Sequence, residues 1–281
     1  MDNFWRSQEW LEYLLNSKHG MVYSDRSFFL NNKFIPLVQE GEEFYSPGFD
    51  DDKKILQVIK ELAQQYRIKR IQVNSQIKSY LNISGYTCIL DLDNIKLSKG
   101  HKSCIKKAEK YLTYEIVNET KQFMQDYLRI ADKATRPERT FEILQNWIGS
   151  GIGTLLKADY QGNTVGYIYI LHYDGWSYYF MGCTVPEYKD YNVSHFLIWK
   201  AISILKNMGI KYLEMGGIVT NSLHHIPSEK EINISKFKKG FGGNIIIKPV
   251  SEYYFSRDFF KETMTKRIDS YIENEYIQKN V

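Results

Sequence analysis

Lys99, Lys102, Lys106 and Lys110 recur three or four residues apart. A helix through them places all four on one face, beside Lys107 and opposite Ile105 and Ala108. Crowded like charges cost helix stability. A bound phosphate or diphosphate offsets that cost through charge-assisted hydrogen bonds, and a plainly solvated face is the alternative reading. A second stretch, Val185-Pro-Glu-Tyr-Lys-Asp-Tyr-Asn-Val-Ser194, joins a strand-like run to a helical one. Free backbone N–H groups at such a helix start bind anions, and Asn192 or Ser194 is suited to cap it. A third, Ile234-Ser-Lys-Phe-Lys-Lys-Gly-Phe-Gly-Gly243, is a short basic helix ending in glycines. Lys236, Lys238 and Lys239 cannot all face one way, so at least one points toward the body of the protein. Gly240 reads as a C-cap.

Other chemistries fail on spacing. Gly149-Ser-Gly151-Ile-Gly153 precedes a strand, whereas a dinucleotide-binding turn follows one and opens a helix. There is no GxxxxGK[ST] and no GxSxG. His224-His225 lacks an HExxH pattern and a clear third ligand, so no metal site is expected. Three cysteines, Cys88, Cys104 and Cys183, lie far apart without a CxxC, which argues against a disulfide framework or zinc.

These residues need elements to hold them. The chain has 281 residues, 43% hydrophobic and 25% charged, with 6 prolines and 18 glycines. That is a folded composition with room for one large or two ordinary domains. A net charge of +4 is too small by itself to argue for nucleic acid, and DNA binding is not expected. Aromatic residues reach 15%, with 22 tyrosines, as packing and half-buried sheet surface require. The opening MDNFWRSQEW carries Asp2, Arg6 and Glu9 and has no signal-peptide apolar core, and no apolar run approaches the ~20 residues of a membrane span. A cytoplasmic protein is expected, with possible peripheral contact at the inner membrane face.

Phe28–Leu30, Asn31-Asn32 and Phe34–Val38 predict a hairpin. Ile55, Leu56, Ile59, Leu62 and Ala63 predict an amphipathic helix over 53–66, with strands at 68–73 and 88–92. Helices are expected over 100–112, 120–133 and 137–148, then strands at 154–158, 165–172 and 176–183. A strong helix over 194–207 stops at Gly209, and a strand follows at 211–215. A short helix at 234–239, a strand at 244–250 and a helix over 257–277 complete the chain. Residues 55–73 echo residues 197–215 at a constant offset, which suggests two related α/β halves, 1–95 and 96–281, packed without a linker.

Three stretches resemble the FemAB/FemX family of peptidoglycan cross-bridge transferases and its FemAB-like acetyltransferase relatives. LSKGHKSCIKKAEKYLTYEI (97–116) is similar to the family's basic helix and strand. YYFMGCTVPEYKDYNVSHFLIWKAISILKNMGIKYLEMGGI (178–218) resembles its strand–helix–strand core, and ISKFKKGFGGNIIIKPVSEYY (234–254) its F-K-x-G-F-G signature. The resemblance implies two tightly packed GNAT-like halves of α/β (α+β) class, each a mixed, mostly antiparallel sheet flanked by helices, the N-terminal one degenerate. It implies transfer of an acyl or aminoacyl group to an amine of a cell-envelope precursor or sugar conjugate, between splayed strands 176–183 and 211–216. By motif position Lys238 stabilises developing negative charge and Glu214 accepts the amine proton; Glu214 is read equally as a structural carboxylate. Phe237, Lys102, Lys106, Tyr191, Asn192 and Ser194 then meet substrate. No tightly bound cofactor is implied. The co-substrate is acyl-CoA or aminoacyl-tRNA, and the acceptor a small-molecule or nucleotide- or lipid-linked sugar. Lysines replace the family's arginines in the basic helix, losing bidentate phosphate recognition. The acyl-CoA pattern [RQ]xxGx[GA] becomes Lys189-x-x-Asn192-x-Ser194, so the donor stays open between the two. Acetyl-CoA-dependent N-acetylation of an amino sugar and a non-catalytic binding protein retaining the fold are the alternative readings.

Overall fold

Asn31 and Asn32 both take positive φ, 52° and 62°, and turn the chain between two short paired strands as the hairpin reading requires. The computed structural model describes residues 2–16, 23–130, 136–222 and 225–273. In chain order the first elements are α1 (Asp2–Trp5), α2 (Gln8–Leu15), β1 (Ser24–Asp25), β2 (Phe28–Leu30), β3 (Lys33–Ile35), β4 (Val38–Glu40), β5 (Glu43–Ser46), α3 (Lys53–Gln65), β6 (Arg70–Val73) and β7 (Leu81–Asp91). Then come α4 (Lys99–Ala108), β8 (Leu112–Val117), α5 (Lys121–Ile130), α6 (Glu138–Gly149), β9 (Gly153–Tyr160), β10 (Asn163–Tyr173), β11 (Trp176–Thr184) and α7 (Val193–Asn207). The last described elements are β12 (Tyr212–Ile218), α8 (Glu229–Lys239), β13 (Asn244–Tyr254) and α9 (Arg257–Glu273).

All strands except β2 and β3 join one sheet, in the order β1-β4-β5-β6-β13-β7-β12-β11-β10-β9-β8. The sequence echo has a structural counterpart. β5, α3 and β6 form a parallel crossover unit, as do β11, α7 and β12. Each unit is completed by a strand from elsewhere in the chain: β12 pairs with β7, β6 pairs with β13, and β7 and β13 pair with each other. This reciprocal exchange makes the two sheets continuous. Among the described residues, buried apolar side chains gather in three clusters. One packs α4 and α7 against a face of β9–β12. A second packs α1, α2, α5 and α6 against the other face, and a third surrounds α3.

Three local expectations change. The basic helix ends at Ala108 rather than 112, and Leu112 begins β8, buried beside Ile105 and Ala108 all the same. Lys110 therefore follows the helix. α8 is longer than expected: Ser228 accepts from the Glu231 N–H and Glu231 returns a bond to the Ser228 N–H. This capping box is the Ser-x-x-Glu signal at 228–231. Gly240 is not a left-handed cap, since its φ is −62°; its smallness has another cause, given below. Gly209, by contrast, has φ +75° after α7, as a C-cap glycine should.

His172 is buried in the sheet, with Nε2 2.7 Å from Thr154 Oγ1 and Nδ1 2.9 Å from Ser177 Oγ. Burial pushes its pKa down from 6.5 to about 4, and burial together with the neighbouring His101 does the same to His195. The unfolded chain therefore binds more protons than the fold between these values, and stability falls as pH drops from about 6.5 to 4. Urea unfolding across that window should show the loss, and His172→Gln should reduce its slope.

Candidate active site

β11 and β12 run parallel and are paired only from Trp176–Tyr212 to Tyr178–Glu214. Both strands continue, to Thr184 and Ile218, without pairing to each other. At the same level β12 breaks register with β7 between Glu214 and Gly216, and Gly216 takes φ +83°. A bulge of this kind re-aims side chains and ends pairing. The result is a gap between two neighbouring strands in the middle of the sheet.

Three polar side chains converge there. A Cβ added to Gly216 would lie 3.0 Å from Tyr178 Oη and 3.3 Å from Lys238 Nζ, so glycine serves both conformation and space. Lys238 comes from the last turn of α8, half-buried, and its Nζ donates to the Gly217 carbonyl at 2.9 Å. Burial lowers its pKa from the ordinary lysine value, against the opposing influence of Cys88 and Glu214. Burial, with the Glu214 charge, pushes Tyr178 up, so its phenol is neutral and a proton donor. Glu214 is buried; its Oε1 accepts from Thr87 Oγ1 at 2.7 Å and from Lys248 Nζ at 3.2 Å.

Glu214 and Tyr178 face a cleft of about 870 Å³. Its walls come from both ends of the chain: Trp5, Trp10 and Tyr13 of α1 and α2, Tyr45 of β5, Trp176 and Phe180 of β11, and Ile247 and Lys248 of β13. Lys248 Nζ also lies 5.7 Å from the Trp5 ring centroid. A carboxylate, a hydroxyl and an aromatic face around an ammonium make this end of the cleft a place for an amine. Lys238 does not line the cleft. It approaches the gap from the α4/α7 side, where Phe237 packs edge-on to the His195 ring at 4.9 Å.

Of the eight residues expected from sequence, Lys238 and Glu214 meet at the gap, with Phe237 beside them. Ser194 and Asn192 lie at the start of α7. Ser194 Oγ is 3.1 Å from Thr184 Oγ1 at the far end of β11, and Asn192, at φ 60°, directs Nδ2 to the Asp190 carbonyl and makes no side-chain cap. Tyr191 belongs to a packing cluster, its ring centroid 4.6 Å from that of Tyr160. Lys102 and Lys106 are exposed on α4 and, among the described residues, neither has a carboxylate in ion-pair range. They do not join Lys238. Tyr178, Thr87, Lys248 and Trp5 escaped sequence reasoning. Only Tyr178 carried a signal, as the third residue of a strand expected to flank the gap. His225 Nε2 is 3.0 Å from Glu231, while His224 lies outside the described residues. No cluster of three metal-ligating side chains occurs among the described residues, and no helix among them is long and apolar enough to cross a membrane.

The architecture, two GNAT-like halves sharing a sheet, is that of a recognised fold class. FemX superposes with a TM-score of 0.65 at 14% identity, covering 94% of this chain and 97% of FemX. L-PGS from Bacillus licheniformis gives 0.63 at 15%, over 94% of this chain and 97% of that one. A tandem GNAT protein from the clavulanic acid biosynthesis pathway gives 0.51 at 10%, over 87% of each. No protein-family model matches the chain, and neither does any curated protein sequence. The chain has the FemX-like tandem GNAT fold.

Proposed function

We propose that this protein is an acyltransferase that moves an acyl or aminoacyl group to an amine. The observation that carries the reading is the place where β11–β12 pairing stops, with Lys238, Tyr178 and Glu214 gathered at it. The donor enters from the α4/α7 side and presents its carbonyl carbon in the gap. The acceptor amine sits in the aromatic cleft against Glu214. Holding the two on opposite faces of one opening makes the attack effectively unimolecular. Glu214, once Lys248 withdraws, takes the ammonium proton directly or through water, freeing the nitrogen lone pair. The nitrogen adds to the carbonyl carbon, and the Lys238 ammonium offsets the charge developing on oxygen. Collapse expels the donor's thiolate or alkoxide, which takes the Tyr178 proton while the second proton of the adduct nitrogen passes to the phenolate, and the neutral amide remains.

The motif resemblance to FemAB/FemX proteins over 97–116, 178–218 and 234–254 favours an acceptor among cell-envelope precursors or sugar conjugates and an aminoacyl-tRNA donor; the tandem GNAT neighbour, whose name mentions AcCoA, favours acyl-CoA. Lys102 and Lys106, without carboxylate partners among the described residues, suit the phosphates of either donor. The test is product formation by the purified protein with acetyl-CoA or aminoacyl-tRNA, each against amino-sugar nucleotides and peptide-bearing sugar nucleotides. Amide product from one donor fixes the class. No product from any pair, with no thermal stabilisation by either donor, overturns the proposal.

A further inference from the structure

The last turn of α8 is clamped from α4 by a histidine that neither the motif resemblance nor the transfer step uses. His101 Nε2 lies 2.8 Å from the Phe237 carbonyl, and its Nδ1 lies 3.1 Å from Ser98 Oγ. A carbonyl only accepts, so Nε2 carries the proton, and in the neutral ring Nδ1 accepts from the Ser98 hydroxyl. Ser98 in turn caps α4 by accepting from the His101 N–H, and its own N–H donates to the Gly240 carbonyl at 2.9 Å. The Phe237 carbonyl also accepts from the Gly240 N–H at 3.2 Å, and it has room for the imidazole bond because α8 tightens at its end and the Phe241 N–H does not reach it. The Phe241 N–H turns to the Lys238 carbonyl and the Gly242 N–H to that of Lys239.

Packing fixes the same ring. A Cβ on Gly240 would come 1.9 Å from His101 Cε1, though the Gly240 backbone is ordinary right-handed helix that alanine could adopt. The glycine of the F-K-x-G-F-G signature is therefore room for an imidazole. His101 also meets the His195 ring of α7 at 4.5 Å and Phe241 at 4.7 Å, both edge-on. α4, α7 and α8 thus join around one side chain, a single residue from Lys238.

We infer that His101 is a positioning residue: through the Phe237 carbonyl it holds the final turn of α8 so that the Lys238 ammonium stays at the mouth of the β11–β12 gap. The kinetic arm of its test rests on the acyltransferase reading; the spectroscopic arm does not.

Lysines are reductively dimethylated with ¹³C, the Lys238 resonance is assigned with Lys238→Arg, and its titration is followed in wild type, His101→Leu and His101→Gln. Glutamine places an amide N–H near the position of Nε2; leucine fills the space without a donor. Lys238 should titrate below the bulk lysines in wild type and His101→Gln, and rise toward them in His101→Leu. A midpoint unmoved in His101→Leu overturns the inference. In a donor–acceptor pair that gives product, His101→Leu should lower kcat on the order of 10²-fold with little change in acceptor KM, as for a misplaced catalytic group, and His101→Gln should recover most of it. Equal loss in both variants also overturns the inference. Should His101→Leu fail to fold by circular dichroism, Gly240→Ala, which displaces the ring, takes its place with the same expected rise of the Lys238 midpoint. If no pair yields product, the titration still decides the role of His101, so the two readings fail separately.

Discussion

Glu214→Gln should lower kcat by about 10²–10⁴, the range for loss of a general base, while acceptor KM changes little. The amide keeps the shape and can still accept from Thr87 Oγ1, now 2.7 Å from the carboxylate. It cannot remove the proton that keeps an amine from attacking. Lys238→Ala should cost about 10²–10³ in kcat, as for loss of one oxyanion donor. Its Nζ is held at 2.9 Å by the Gly217 carbonyl before substrate arrives, so little reorganisation is needed at the moment of reaction. In the proposed transfer the two groups serve one transition state from opposite faces of the sheet, so the double variant should fall well short of the product of the single losses. A full multiplicative loss, or a Glu214→Gln enzyme of wild-type kcat, assigns Glu214 the structural role that Thr87 and Lys248 also permit. Melting curves for each variant separate loss of chemistry from loss of fold.

Much of this arrangement was legible in the residues because local periodicity and turns specify it. The α7–β12 unit follows from an apolar helix stopped at Gly209, and the inward lysine follows from three cations on one short helix. The gap itself comes from a missing set of hydrogen bonds between strands far apart in sequence, which no single segment encodes. The reciprocal placement of β7 and β13 is non-local in the same way. It brings Thr87 and Lys248 to Glu214 from positions 127 and 34 residues away. α1 and α2 carry no strong local signal because they are held by tertiary packing, with Phe4 buried against Trp147 and Tyr173. Gly240 reads as a left-handed cap from sequence because a glycine after a helix usually marks one. Here its φ of −62° shows that a neighbouring ring, not the backbone, demands it.

The largest expected effect on stability lies away from the gap, at Glu252. Its side chain is 2% exposed and accepts from both terminal nitrogens of Arg267, at 2.8 and 2.9 Å, from Arg70 Nη1 at 3.2 Å and from Tyr254 Oη at 2.8 Å. Burial alone would raise this carboxyl, but the bonds from Arg267 and Tyr254 and the charges of Arg267 and Arg70 outweigh it and hold the pKa below the usual glutamate value. Glu252→Gln removes the charge and leaves two partly buried guanidinium groups facing a neutral amide. Breaking a buried ion pair from one side costs about 3–5 kcal/mol. The loss should fall first on α9, because none of its described side chains is buried and Arg267 ties it to β13 and, through the shared carboxylate, to β6. Hydrogen exchange should therefore quicken over 257–273 before the rest of the sheet responds. The pH dependence supplies a second check. A depressed carboxyl stabilises the fold fully above its unfolded value, near 4.5, and that contribution disappears as pH falls through the lower folded value. This limb begins near the foot of the histidine window and extends below it, so wild type should lose stability in two overlapping stages on acidification. Glu252→Gln should keep the upper stage and weaken the lower, to which the depressed carboxyls of Asp50, Asp91, Glu231 and Glu262 also contribute; a variant whose lower stage is undiminished, with α9 exchanging at the wild-type rate, would show that the Glu252 network does not anchor the helix.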